Sequence, residues 1–253
     1  MSYDRQRARH LLRAASHIVV LTGAGVSAES GVPTFRGAGG LWKQFRPEGL
    51  ATPEAFARDP RVVWEWYAMR RETVMGCEPN AAHRALASFA LTHGTMTIVT
   101  QNVDGLHARA ACAEADSEDA TAAMPLELHG SILRDRCAGC DARSEPVPID
   151  ASSLATLPRC AHCGGLLRPD VVWFGEMLDA RVLSAADAAA ARAEVCLVVG
   201  TSALVYPAAA LPLRTRESGG AIIEVNPEET PLSQIAEVSI RGSAAGMMPS
   251  LLD

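Results

Sequence analysis

Four short apolar runs each stop at small or hydrogen-bonding residues, and this repeated pattern restricts the fold more than any other feature of the chain. HIVVLT at 17–22 is followed by Gly23-Ala24-Gly25, and MTIVT at 96–100 by Gln101-Asn102. VCLVV at 195–199 is followed by Gly200-Thr201-Ser202, and AIIEV at 221–225 by Asn226-Pro227. Runs of this length, rich in β-branched residues, read as buried strands. Helical patterns separate them at 5–15, at NAAHRALASFA (80–90) and in the Ala-rich stretch 179–194. Strands alternating with helices predict an α/β fold, a parallel sheet covered by helices on both faces.

Two segments break the alternation. Residues 40–79 contain no strand pattern, but Asp59 and Pro60 have the character of an N-cap and first residue of a helix through VVWEWYAMRRETV. Residues 131–170 carry paired cysteines, Pro146, Pro148 and Pro158, and little periodicity. Both read as modules inserted into one α/β domain made of 1–39, 80–130 and 171–253. The 253 residues exceed one average domain of about 150, and the insertions account for the surplus. The polar, acidic run 111–125 reads as a surface loop.

In an open parallel sheet, ligands bind beyond the carboxyl ends of the strands, near the switch point. The first exit fits G-x-G-x-x-[GA], where glycines permit close approach to a pyrophosphate and the next helix N-terminus favours an anion. Taken alone, a tight strand–helix turn with no ligand is the plainer reading of that motif. The other three exits weigh against it. A standard dehydrogenase has an acidic residue about 20 positions on, ending a second strand. Here that region is GLWKQFRPEG (40–49), which is not a strand. A dinucleotide site is expected, with hydride transfer not its default chemistry.

Cys137-x-x-Cys140 and Cys160-x-x-Cys163 are separated by 19 residues. Four thiolates close a tetrahedral Zn²⁺ site and leave no open position, so the metal is expected to be structural, one per chain. His162 lies inside the second pair, but the cysteines suffice. Cys196, in a buried run, reads as packing, and no role is assigned to Cys77 or Cys112. Of seven histidines, His107 and His129 lie nearest the expected crevice, and spacing does not choose between them. The charge of −6 makes no electrostatic case for nucleic acid or an anionic membrane. The first 20 residues lack a long apolar core and a clear cleavage site, and no run of about 18 apolar residues occurs. Neither export nor membrane insertion is expected, and a cytoplasmic monomer is.

The chain resembles the sirtuin family. The resemblance rests on Gly23 through Arg36 (GAGVSAESGVPTFR), Thr100 through His107 (TQNVDGLH), Leu128-His129-Gly130, the four cysteines, and Arg168 through Glu176 (RPDVVWFGE). Gly200-Thr201-Ser202 and Asn226-Pro227 complete a set that spans nearly the whole chain in order. It implies a Rossmann-like domain, a smaller zinc-and-helix domain, and a cleft between them. It implies a protein-lysine deacylase that consumes NAD as co-substrate, releasing nicotinamide and O-acyl-ADP-ribose, with acylated lysines of proteins as partners. His129 maps to the general base, suited by an ordinary pKa near 6.5, and Asn102 to its catalytic companion. Gly23, Ala24, Gly25, Ser27, Glu29, Gln101, Asn102 and Asp104 map to cofactor contacts on the first two exits. Phe35 and Arg36 map to a loop over the cofactor. Gly200, Thr201, Ser202, Asn226, Pro227 and Ala244 map to the adenosine side. Val172, Phe174, Gly175 and Glu176 map to a strand edge where substrate peptide pairs.

The chain also resembles the class III members, marked by Tyr-x-x-Arg, here Tyr67-Ala68-Met69-Arg70. At i, i+3 on a helix these side chains share a face. A forked guanidinium and a hydroxyl match the distal carboxylate of a succinyl- or malonyl-lysine. Ala51 maps to the small residue beside such an enlarged pocket. Arg71 competes from about 100° round the helix. The alternatives are a plain deacetylase or mono-ADP-ribosyltransferase on the same scaffold, and a non-enzymatic NAD-sensing module. The 111–125 run is longer than the family's usual connection at that point.

Overall fold

The computed structural model describes residues 3–34, 47–93, 95–115 and 119–253. Helix α1 (Tyr3–Ala14) leads into strand β1 (Ile18–Thr22). Two short helices, α2 (Pro47–Leu50) and α3 (Pro53–Arg58), precede the long α4 (Pro60–Met75). Helix α5 (Ala81–His93) then leads to β2 (Met96–Thr100), and α6 (Leu106–Glu114) to β3 (Leu126–Glu127). Strands β4 (Gly130–Cys137), β5 (Arg143–Ser144) and β6 (Leu167–Val171) follow. The remainder runs α7 (Ala180–Arg192), β7 (Val195–Val199), α8 (Leu211–Glu217), β8 (Ala221–Val225), β9 (Val238–Ile240) and α9 (Ala244–Leu252).

Six strands form one parallel sheet in the order β3-β2-β1-β7-β8-β9. Strand order reverses between β1 and β7, which places the switch point there and opens a crevice beyond both carboxyl ends. The buried runs are continuous because both faces are covered. Ile18, Val20, Ile98, Leu197 and Ile223 point to a layer of α1, α5, α6 and α9. Val19, Leu21, Val99, Cys196 and Ile222 alternate with them and meet α7 and α8. Cys196 is packing, as its place in the sequence predicts. Among the described residues no helix is long and apolar enough to cross a membrane.

Two expectations change. No α-helix follows β1 directly: its exit turns through two short 3₁₀ segments, Ala24–Val26 and Ala28–Ser30. The anion-attracting helix N-terminus inferred from G-x-G-x-x-[GA] is therefore missing at that point. The 111–125 run is not simply a loop either. Residues 111–114 complete α6, and Ala111 and Ala123 are buried against α5 and the sheet. Small side chains let the backbone pack closely there, a signal that an Ala-rich polar run conceals.

The two interruptions of the α/β pattern share one apolar cluster. Phe56, Trp64, Trp66 and Tyr67 of the helical segment pack with Ile132, Leu157 and Leu167 of the later one and with Trp173 just beyond it. Asp59 caps α4 as expected, its Oδ1 accepting from the Arg61 and Val62 amides at 3.1 and 3.4 Å. Trp64 donates its indole N–H to the Leu167 carbonyl at 2.9 Å. Arg71 donates to Asp135 Oδ1 at 2.7 Å and to the Ile132 carbonyl at 2.8 Å. The Arg71 and Asp135 side chains are 7% and 0% exposed, so this ion pair lies in the interior. The other Asp135 oxygen accepts the Val147 amide at 2.9 Å. Removing one partner strands a buried charge. Asp135→Ala is expected to cost about 3–5 kcal/mol of unfolding free energy, read from the denaturant midpoint at constant m-value.

Candidate active site and metal centre

The exits of β1 and β7 meet glycine against glycine. The Gly25 amide donates to the Gly200 carbonyl at 2.8 Å. A Cβ on Gly25 would lie 2.7 Å from that same oxygen, and one on Gly200, whose φ is +60°, would lie 2.5 Å from the Val26 nitrogen. These glycines are required first by the approach of two backbones, not by a ligand alone. Beside this junction a cavity of about 1030 Å³ opens. Gly23, Ala24, Gly25 and Glu29 of the first exit line it, as do Gln101, Asn102 and His129. Gly200, Thr201, Ser202, Asn226, Pro227 and Ala244 close its far side. Polar ties hold these walls: Gln101 donates to Thr201 Oγ1 at 2.9 Å, and Asn226 to the Thr201 carbonyl at 2.8 Å. Glu29 accepts from Ser243 Oγ and the Ala245 amide at 2.9 and 2.8 Å, anchoring the start of α9.

Ser27 and Asp104 do not line the cavity. They stand behind its wall in a buried network that fixes Asn102. The Asn80 amide donates to His83 Nδ1 at 3.2 Å, so the proton of neutral His83 sits on Nε2, facing Ser27 Oγ at 3.3 Å. Ser27 donates to Asp104 Oδ2 at 2.7 Å. Asn102 Nδ2 donates to Ser27 Oγ and to the Gly23 carbonyl, at 3.1 and 3.2 Å. That settles which end of the amide is nitrogen and turns its oxygen toward the cavity. Burial pushes the Asp104 carboxyl above its ordinary range, against the hydrogen bonds from Leu106 and Ser27. His107 also lies behind the wall, against Thr22 Oγ1 at 3.0 Å, which leaves His129 as the histidine of the crevice. Phe35 and Arg36 lie outside the described residues.

His129 is held by its other nitrogen. Nδ1 lies 2.9 Å from the Gln101 carbonyl, which only accepts, so Nδ1 carries the proton and Nε2 has a free lone pair. Gly130 makes this pose possible. At φ +74° it passes so close to β6 that a Cβ would sit 2.1 Å from the Asp170 carbonyl oxygen. Burial lowers the His129 pKa below 6.5, opposed by the bond to Gln101. A neutral imidazole is the form that acts as base. The acid limb of kcat/KM, which reports the free enzyme, is therefore expected below pH 6.5, with activity lost as pH falls through it.

A second pocket wall comes from α4. Tyr67 and Arg70 both line the cavity, with Ala51, Val172 and Phe174 nearby. Arg70 lies over the rings of Trp66 and Tyr67, at 4.6 and 5.5 Å. Arg71 faces the opposite way, into its ion pair with Asp135. Residues 172–176 continue β6 as a turn, not as a strand edge. The Val172 amide donates to the His129 carbonyl and the Phe174 amide to the Ala51 carbonyl, both at 2.9 Å. Glu176 accepts from Arg168 and from the Trp173 amide, at 2.9 and 2.8 Å. Its carboxylate thus braces the turn. Trp173, inside the RPDVVWFGE motif but given no role by it, donates its indole N–H to the Tyr67 hydroxyl at 2.9 Å.

The four cysteine sulfurs lie within 4.8 Å of one another. Cys137 and Cys163 are 3.4 Å apart, Cys140 and Cys160 3.7 Å. A tetrahedron with bonds of about 2.3 Å has edges of about 3.8 Å. The Gly139, His162 and Gly165 amides point at three of the sulfurs, from 3.3 to 3.4 Å. Donor set and spacing fit one structural zinc, and His162 is not among its ligands. None of the four lines the cavity. Chelating the metal, or Cys137→Ser, is expected to lower the melting temperature by on the order of 10 °C, followed by circular dichroism.

Comparison with known proteins agrees with this geometry. A profile described as the Sir2 family matches residues 23–207. The NAD-dependent protein deacylase 1 of Archaeoglobus fulgidus is 50% identical over 238 residues, 94% of this chain and 92% of that protein. A solved complex of a mutant Sir2 homologue with ADP ribose superposes with a TM-score of 0.88 at 47% identity, covering 100% of this chain and 95% of that one. A Sir2 homolog–NAD complex gives 0.86 at 48%, covering 98% and 92%.

Proposed function

The chain belongs to the Sir2 family of NAD-dependent protein deacylases, and from that premise we propose that its preferred substrates are lysines carrying acidic acyl groups, succinyl or malonyl. The observation that carries the reading is the pair Tyr67 and Arg70 on the cavity wall, with Arg71 turned away into its ion pair. A guanidinium remains charged even where burial lowers its pKa, as it does at Arg70. Burial pushes the Tyr67 phenol up, which keeps its proton available for donation. A cation over aromatic rings with a hydroxyl beside it, next to the small Ala51, suits a short chain ending in a carboxylate. An acetyl group brings no charge to that end of the cavity.

NAD supplies the ribose carbon at which nicotinamide is displaced and the hydroxyls that take the acyl group. The residues of this chain then divide the work. Gly23, Gly25 and Gly200 bring backbone to the cofactor without side-chain obstruction, and Ser202, Asn226 and Ala244 form the adenosine end. Asn102, fixed by Ser27 and Gly23, offers its amide oxygen in the nicotinamide region. His129 Nε2 removes a proton from a ribose hydroxyl, while Gln101 holds the imidazole in the one tautomer able to do so. Residues 172–176 form the adjoining wall, which suits the backbone of an acyl-lysine peptide.

Matched succinyl and acetyl peptides with NAD, assayed by mass spectrometry, test the preference. The succinyl peptide is expected to give the higher kcat/KM. Arg70→Met is expected to lower the succinyl-to-acetyl ratio by about 10- to 100-fold, the scale of hydrogen bonds to a charged group. A wild-type enzyme that removes acetyl far faster, or a ratio indifferent to Arg70→Met, marks a plain deacetylase instead.

A further inference from the structure

The Tyr67 hydroxyl is engaged by a residue of a different segment. Tyr67 belongs to α4 and Trp173 to the turn after β6, 106 positions later, yet the indole Nε1 donates to the hydroxyl at 2.9 Å. Both side chains are buried. An indole N–H only donates, so the hydroxyl oxygen accepts this bond. One hydrogen remains on the phenol, and no acceptor for it occurs among the described residues. A phenolic hydrogen lies near the ring plane. Trp173 occupies a lone pair of the oxygen, so the phenolic hydrogen is directed away from the indole.

The indole itself is clamped. The Arg168 guanidinium carbon lies 3.3 Å from its ring centroid, and the Phe56 ring lies at 5.3 Å, tilted by 45°. Arg168 is in turn paired with Glu176, which also accepts the Trp173 amide. The side chain that reaches Tyr67 is thus fixed by Arg168 and Phe56, which do not line the cavity, and by Glu176, which does.

We propose that Trp173 is a positioning residue for acyl selectivity: its indole N–H orients the Tyr67 hydroxyl so that the phenolic hydrogen is presented to the distal carboxylate of the acyl chain. The inference rests on the acidic-acyl reading above and adds a specificity determinant outside the Tyr-x-x-Arg motif. Without the indole donor, the phenol has a second orientation open to it, with its lone pairs toward the carboxylate. The bound acyl group then meets repulsion in part of the population, and the loss appears in the KM of acidic substrates.

A double-mutant cycle tests this. Wild type, Trp173→Phe, Tyr67→Phe and the double variant are compared by the succinyl-to-acetyl ratio of kcat/KM, with KM and kcat resolved separately. Trp173→Phe is expected to lower the ratio about three- to tenfold, the scale of one neutral hydrogen bond, mainly through the succinyl KM. In the Tyr67→Phe background the same change is expected to lower it no further, because the hydroxyl through which it acts is gone. Incorporating 3-benzothienylalanine in place of Trp173 replaces N–H by sulfur in a ring of the same shape. It is expected to reproduce the effect even if Trp173→Phe folds poorly. An unchanged ratio in the benzothienyl protein, or an equal fall with and without the Tyr67 hydroxyl, overturns the inference while leaving the acidic-acyl reading intact. A wild-type ratio favouring acetyl, or one indifferent to Tyr67→Phe, overturns both.

Discussion

The contact on which the rest depends is the backbone junction between Gly25 and Gly200. Parallel strands that diverge at a switch point leave a crevice only if their exits stay close at its base. Here the two chains touch with no side chain between them, tied by one amide–carbonyl bond. The cavity-lining segments are built outward from this point: the 3₁₀ turns after β1, the Thr201–Ser202 loop after β7, and Gln101 reaching across to Thr201. Glycine at both positions therefore serves the backbone junction and the shape of the cavity wall together, and neither can be changed alone.

The α/β core was legible in the chain because its signals are local. Each strand from β1 to β8 in the large sheet is a run of β-branched residues, and MTIVT, VCLVV and AIIEV coincide with strand limits residue for residue. The exception is β3, whose two residues pair only at the sheet edge and carry no pattern of their own. The cysteine cluster was equally plain, since two turns of fixed spacing suffice to place four sulfurs. What stayed hidden depends on contacts distant in sequence. Nothing local says that Ser27 and Asp104 face inward, that Arg71 turns to Asp135, or that Glu176 braces a turn. Motif positions identify residues that matter together, but not which of them touch the ligand and which hold those that do.

The site is arranged in two tiers. Groups on the cavity wall have few intramolecular partners: the Asn102 amide oxygen, His129 Nε2 and the Tyr67 hydroxyl hydrogen. Each is oriented by a hydrogen bond with a second group, respectively Ser27 behind the wall, the Gln101 carbonyl, and Trp173 beside it on the wall. Buried polar groups are costly unless satisfied. Satisfying the second groups internally leaves the unsatisfied valences at the surface where a ligand arrives. This arrangement lowers the reorganisation needed on binding, because orientation is established before the ligand enters.

Gly130 and Val171, register partners in β4 and β6, bracket everything between them. The Val172 amide beside this pair donates to the carbonyl of His129. The proposed catalytic base and the wall proposed to meet substrate peptide are consequently adjacent across a closed loop of 40 residues, 131–170. Closing a flexible loop of that length opposes the pairing by about 3 kcal/mol of chain entropy. The four cysteines draw both arms of the loop together on one ion and divide it into shorter circuits. Although it lies outside the cavity, the metal thereby reduces the entropy that works against the register of the active site.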